Sequence, residues 1–203
     1  MTKEPKRRHF NELARRWDSL PGAPDALPRA GRFVERAVRA DARRILDAGC
    51  GTGILLPHLT ENCPSATCIV ELDFAEEMLK ENLRRVTERR ICRVCADAQA
   101  LPFFPGSFDH ILCFGVLPHL VELPQALQEL FRVLGPAGMF SVGHLMGSAE
   151  LNAFHRSLGG PLASDTLPAA ESLAQMFCQL GARVNCVEER PDWYFVQARK
   201  ALA

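Results

Sequence analysis

Along its middle the chain alternates between two hydrophobic periods. Short runs of branched and apolar residues at 44–48, 67–72, 91–96, 110–114 and 139–143 have the length and composition of buried strands. Between them the apolar positions space out by three and four. Segments 53–61, 75–88 and 123–134 therefore predict helices; in the last, Leu123, Ala126, Leu127, Leu130, Phe131 and Leu134 fall on one face. Strand–helix alternation of this kind predicts an α/β fold, a parallel sheet with helices on both faces. The C-terminal end changes pattern. A helix over 168–180, apolar at Leu173, Met176, Phe177 and Leu180, stops at Gly181. "RVNCVEE" and "WYFVQAR" follow as strands separated by Arg190, Pro191 and Asp192, the spacing of a hairpin. The expectation is a seven-stranded, mostly parallel sheet whose C-terminal β-hairpin brings in one antiparallel strand.

Two stretches fall outside this alternation. Residues 9–40 read as two helices divided by the breaker-rich "LPGAPDALP". Residues 145–168 hold a helical "ELNAFHRSL" and a loop, "GGPLASDTLP". Both belong at the carboxyl edge of the sheet, where open α/β sheets bind ligands. The chain divides accordingly into an N-terminal helical lid, 1–40, and a main domain, 41–203, with 145–168 as a substrate-side insertion.

Composition changes this picture little. A chain of 203 residues with 47% apolar and 24% charged residues is one ordinary domain with a sizeable core. Its net charge is zero but uneven: Met1 to Arg44 holds 12 basic and 6 acidic residues (12 − 6 = +6), balanced by −6 in the remainder. That basic end offers an electrostatic handle for nucleic acid, but solvated helix faces are the simpler account and nucleic acid is not the expected partner. The first residues, "MTKEPKRRHF", lack an apolar leader, and no run of about 18 apolar residues predicts a membrane span. The eight cysteines lie mostly in apolar runs, so a cytoplasmic protein with reduced, buried, small-apolar cysteines is expected. Cys92 and Cys95 have the C-x-x-C spacing of zinc and redox sites. On a strand, however, residues three apart face opposite sides, so core packing is expected of them and no metal site.

The first strand ends in "RILDAGCGTGILL". Glycines at 49, 51 and 53 permit positive φ and remove the β-carbons that would hold a ligand away. Dinucleotide-binding turns carry a third glycine at the position of Ile54, so this turn need not receive a diphosphate. Asp47, Asp73 and Asp97 stand at the ends of three successive strands. A carboxylate in the place of Asp73 can accept hydrogen bonds from both ribose hydroxyls, and one in the place of Asp97 from an adenine amino group. Together they describe a slot for a nucleoside without phosphate.

With these residues in view, the sequence resembles the class I S-adenosylmethionine-dependent methyltransferases of the small-molecule type, similar to ubiquinone/menaquinone C-methyltransferases. "ILDAGCGTG" looks like the family's first motif and "LDFAEEML" like its acidic ribose motif. "ADAQALPFFPGSFDHILCFGVLPHL" is similar to its adenine loop, fourth strand and following turn, and "ELFRVLGPAGMF" to the helix and strand after that. The resemblance is close over 40–144 and looser over 168–199. It implies a Rossmann-like sheet, S-adenosylmethionine as cofactor, and in-line transfer of a methyl group to a small-molecule acceptor. The readings kept beside it are an RNA or protein methyltransferase and a non-catalytic S-adenosylmethionine-binding accessory protein.

Carried over by residue, the resemblance implies that Asp47, Gly49 and Gly51 frame the methionine part and Asp73 holds the ribose, with Phe74 and Met78 near the nucleoside. Asp97 and Ala98 would address the adenine, and Cys113 and Phe114 would meet the cofactor mainly through backbone. "FNELARRWD" echoes an N-terminal family motif with Trp17 in place of tyrosine, which keeps an aromatic lid on the substrate side. His119 in "GVLPHL" is the candidate general base, at a turn where the family often reads "HHL" and this chain has Pro118. His144 and His155 are expected on the substrate side, where with Asp165 they would make a polar acceptor site. The same turn lacks the "N-P-P-Y" of base N-methyltransferases. His9 and His58 are expected to have ordinary surface roles.

Overall fold

The computed structural model describes residues 3–20 and 25–202. Strands β1 (Arg44–Ala48), β2 (Cys68–Asp73), β3 (Ile91–Cys95), β4 (Phe108–Phe114), β5 (Leu134–His144), β6 (Ala182–Arg190) and β7 (Trp193–Lys200) form one sheet in the order β3-β2-β1-β4-β5-β7-β6. β1 to β5 pair in parallel, and β7 is antiparallel to both β5 and β6. The strand order reverses at β1, between β2 and β4, which places the ligand-binding crevice of such sheets at its carboxyl end. The helices are α1 (Lys3–Leu13), α2 (Ala26–Ala37), α3 (Leu56–Asn62), α4 (Glu76–Arg85), α5 (Leu123–Val133), α6 (Ser148–Leu158) and α7 (Ala170–Gln179).

Strand alternation deals the core to two faces. Leu46, Ile111, Phe140 and Val196 meet Leu127, Leu130 and Phe131 of α5 and Leu173 and Phe177 of α7. Ile45, Ile69, Leu112 and Phe195 meet Phe33 and Val34 of α2 and Leu56 and Leu59 of α3. Both faces are covered, so the strands read as continuous apolar runs, and each buried side chain contributes roughly 1.5–3 kcal/mol.

Two N-terminal elements differ from expectation. α1 begins at Lys3 rather than near residue 9, because its buried face carries Lys6 as well as Phe10. α2 begins at Ala26, inside "LPGAPDALP". Its Pro28 sits in the first turn, where backbone N–H groups have no helical partner to lose; residues 21–24 of that stretch lie outside the described residues. Only α1 and the turn after it rest on the carboxyl edge of the sheet; α2, expected there as part of a lid over 1–40, packs on a sheet face instead, because Phe33 and Val34 complete the core with Ile45 and Leu59. Phe10 and Ala14 pack with Ala75, Met78 and Leu162, Asn11 Oδ1 accepts from Glu77 N at 3.0 Å, and Thr52 Oγ1 donates to Asp18 at 2.7 Å. The insertion is braced from β6. Glu189 accepts from Ser148 N and from Ala170 N, both at 2.7 Å, and so satisfies the starts of α6 and α7 with one carboxylate.

The cysteine expectation needs correction. Cys50, Cys63 and Cys113 are buried, but Cys92, Cys95 and Cys178 are exposed, and all eight are free thiols. β3 is an outermost strand, so only part of it is covered; its apolar run gives no hint of that edge position. Among the described residues no group of three or more His, Cys, Asp or Glu is arranged to hold a metal ion. Nor is any described helix long and apolar enough to cross a membrane.

Candidate active site

The turn after β1 is pulled tightly onto its neighbours. The Gly49 and Cys50 N–H groups both donate to Leu72 O, at 2.7 and 3.0 Å. Gly49 has φ +76°, and a β-carbon there would overlap the Val116 side chain. Gly53 has φ +86°, and its β-carbon would stand 2.7 Å from Asn82 Nδ2 on α4. Gly51 faces open space. These demands come from packing against β2, α4 and the turn after β4.

Beneath and beside the turn lie three buried carboxylates. Asp73 is fixed at the end of β2 by Gly51 N, which donates to Oδ2 at 2.9 Å, and Ala75 N, which donates to Oδ1 at 2.8 Å. Burial pushes it up to about 6 against the opposing pull of those N–H groups. Glu71 accepts from Asn82 Nδ2 at 2.7 Å, and Asn82 Oδ1 in turn accepts from Arg93 Nε at 2.7 Å; burial pushes Glu71 up to about 7. Asp47 is 1% exposed, and its Oδ2 has no hydrogen-bond partner among the described residues. Burial and then the charges of Glu71 and Asp73 hold Asp47 well above the ordinary carboxylate range. Such a set is short of positive charge and favours a cationic ligand over an anionic one. Glu71 and Asn82 were not singled out in the sequence: one is hidden in the apolar run "CIVELD", the other in a polar helix.

A cleft of about 510 Å³, its open mouth included, runs over this turn. Gly49, Asp73, Phe74, Asp97, Ala98, Cys113 and His119 line it, together with Gln99, Val116 and Lys3. Asp97 Oδ1 accepts from Gln99 N at 2.9 Å, and Lys3 pairs with Oδ2 of the same carboxylate. Asp47 and Gly51 are not among the lining residues, and three more of the expected residues stand off the cleft. Met78 lies in the small core under α1, Phe114 packs on Phe33 at 4.9 Å between centroids, and Trp17 packs on Phe10 at 5.7 Å.

Beyond the turn after β4 a second polar group gathers. His119 Nδ1 meets Asp165 Oδ2 at 2.7 Å, and Lys6 Nζ meets Asp165 Oδ1 at 2.5 Å. Lys6 Nζ also donates to His119 O at 3.3 Å, and His155 Nδ1 to Asp165 O at 3.0 Å. His144 Nδ1 accepts from Met146 N at 3.1 Å; burial first, then His119 and His155, lower it to about 3 and keep it neutral. Phe10 packs edge-on against His119 at 5.1 Å. Lys6 was missed. Its one signal is helical spacing, four residues before Phe10 on the face that docks.

Residues 46–142 match the family model described as a methyltransferase domain. That match takes in just under half of the chain, and over the same region the chain is similar to proteins named as methyltransferases.

The chain is 38% identical over 141 residues to a demethylmenaquinone methyltransferase of Thermus thermophilus, covering 66% of this chain and 62% of that protein. It is 37% identical over 135 residues to a malonyl-acyl-carrier-protein O-methyltransferase of Halorhodospira halophila, covering 65% of this chain and 45% of that protein. It spans less than two thirds of either relative. In fold it resembles the crystal structure of the cyclase SpnF, with TM-score 0.77 and 19% identity over 100% of this chain and 98% of that one. The methyltransferase domain that the chain matches implies S-adenosylmethionine as cofactor, and the residues present fit it. The unpartnered Asp47 Oδ2 and its acidic neighbours suit a ligand that carries an ammonium and a sulfonium, and would repel a pyrophosphate.

Proposed function

We propose that this chain transfers the methyl group of S-adenosylmethionine to a small-molecule acceptor. The observation that carries the reading is Asp73, whose carboxylate lines the cleft with one lone pair of each oxygen already committed to a backbone N–H group. It is set to accept two neighbouring hydroxyls from a ribose. Gly49 would leave room for the methionine tail, Asp97 and Ala98 would face the adenine, Phe74 would lie beside the nucleoside and Cys113 would present backbone; behind that lining Gly51 would keep the turn open, and the buried Asp47 would take the ammonium. The cofactor supplies a methyl group on a sulfonium, whose leaving group departs neutral. The protein's share is to hold the acceptor in line and exclude water.

A small acceptor is supported by the relatives named for quinone biosynthesis and by the closure of the site. His119 is 12% exposed under α1, with the insertion on its other side, so α1 and the insertion act as covers over the acceptor, whereas α2 belongs to the core on one sheet face. Three of the basic N-terminal residues, Lys3, Lys6 and Arg36, are already paired with Asp97, Asp165 and Glu188, which reduces the positive charge left for RNA.

Titration calorimetry with S-adenosylhomocysteine tests the reading. One site is expected, and Asp73→Ala should weaken it by about 1–3 kcal/mol. Failure of the parent protein to bind either S-adenosylhomocysteine or S-adenosylmethionine would overturn it.

A further inference from the structure

The polar group around His119 is built more elaborately than a packing role requires. Lys6 on α1, His119 after β4, His155 on α6 and Asp165 beyond α6 meet from four separate segments. The Lys6 and Asp165 side chains are 5% and 2% exposed, and burying such an ion pair costs desolvation that an apolar pair of similar size avoids. What the expense produces is one imidazole in one orientation. A carboxylate only accepts, so the hydrogen of neutral His119 lies on Nδ1, facing Asp165 Oδ2, and Nε2 keeps a free lone pair. Lys6 on the other oxygen keeps Asp165 ionised, and His155 pins the loop through the Asp165 carbonyl. His119 also lines the cleft that holds Gly49 and Cys113.

We propose that His119 is the general base, oriented by Asp165 and Lys6, for an acceptor whose nucleophilic atom must lose a proton: a phenol, enol or thiol rather than a carboxylate or tertiary amine. This rests on the methyl-transfer reading above. The acceptor's X–H bond breaks toward His119 Nε2, and its electron pair forms the new X–C bond as the carbon–sulfur bond breaks toward sulfur. One positive charge thus passes from sulfonium to imidazolium, where the Nδ1–H still rests on the Asp165 carboxylate. The proton then leaves to solvent. Lys6 and Asp165 are positioning residues. The titratable groups facing His119 are Lys6 from α1, Asp165 from the loop, His155 from α6 and His144 from the end of β5. Burial lowers His119 below its ordinary value of 6.5, Asp165 opposes that, and His155 and Lys6 add to it, so at neutral pH the base is free.

The test measures release of S-adenosylhomocysteine by the full chain with 2-naphthol, thiophenol and octanoate as probe acceptors, beside calorimetry of S-adenosylhomocysteine binding. Turnover of naphthol or thiophenol, but not octanoate, is expected. Its kcat/KM should rise through one ionisation below 6.5 and stay flat above it. His119→Gln should lower it about 100-fold or more while cofactor-product affinity stays within about threefold. Asp165→Asn should lower the plateau and move the limb to lower pH, and Asp165→Glu should restore part of both. Turnover of octanoate alone, a profile that follows ionisation of the free probe, a His119→Gln rate near the parent's, or no release from naphthol and thiophenol while the product still binds would each overturn the proposal. Loss of product binding in the parent would instead overturn the methyl-transfer reading.

Discussion

The two ends of the cleft are held together in different ways. At the glycine-turn end Asp73 and Asp97 are fixed by backbone: Gly51 N and Ala75 N hold Asp73, Gln99 N holds Asp97, and the turn is tied to Leu72 O. At the His119 end Lys6, His119 and Asp165 are fixed chiefly by one another. Backbone anchoring depends on short-range geometry and tolerates a change of side chain nearby. Mutual anchoring gives one orientation but leaves a buried charge stranded when any member is lost.

The largest expected effect follows from that contrast. Lys6→Met strands Asp165 with only a histidine, and should cost about 3–5 kcal/mol of unfolding free energy in urea. Cofactor-product affinity should stay within about threefold. A loss below about 1 kcal/mol would erase the distinction between the two ends. Next comes Gly49→Ala, where a left-handed φ and overlap with Val116 act together; about 3 kcal/mol should be lost, this time with product binding. Glu71→Gln sharpens the comparison through pH. The folded protein holds the Glu71 proton up to about 7, whereas an unfolded glutamate releases it near 4.5, so the parent loses stability as pH rises between those values. The variant should melt higher than the parent at pH 8 and about equally at pH 4; the reverse order would show that Glu71 is ionised and paired. The smallest effect belongs to Lys3→Met. Its pair with Asp97 is 44% and 34% exposed, so stability should move by less than about 1 kcal/mol, and binding of S-adenosylhomocysteine should tighten slightly at low salt.

The same contrast explains what could be read in the sequence. Strands β1, β2 and β4 were legible because helices cover both their faces, and the positions of Asp47, Asp73 and Asp97 because each lies within two residues of the carboxyl end of its strand. The glycine turn was recognisable as a turn, but the partners that demand glycine, Val116 and Asn82, come from distant segments. Lys6 and Asp165 stand near opposite ends of the chain, and no local pattern pairs a lysine in "KEPKRRHF" with an aspartate in "LASDTLP". Cys92 and Cys95 misled for a related reason: an apolar run reports strand propensity, whereas exposure depends on whether another strand lies beside it.

α1 touches both halves of the machine, with Lys3 over Asp97 and Lys6 on Asp165, a single helical turn apart on a stiff rod. One helix therefore carries an ion pair to each end of the cleft, and on the proposed reading it roofs the places of both reactants.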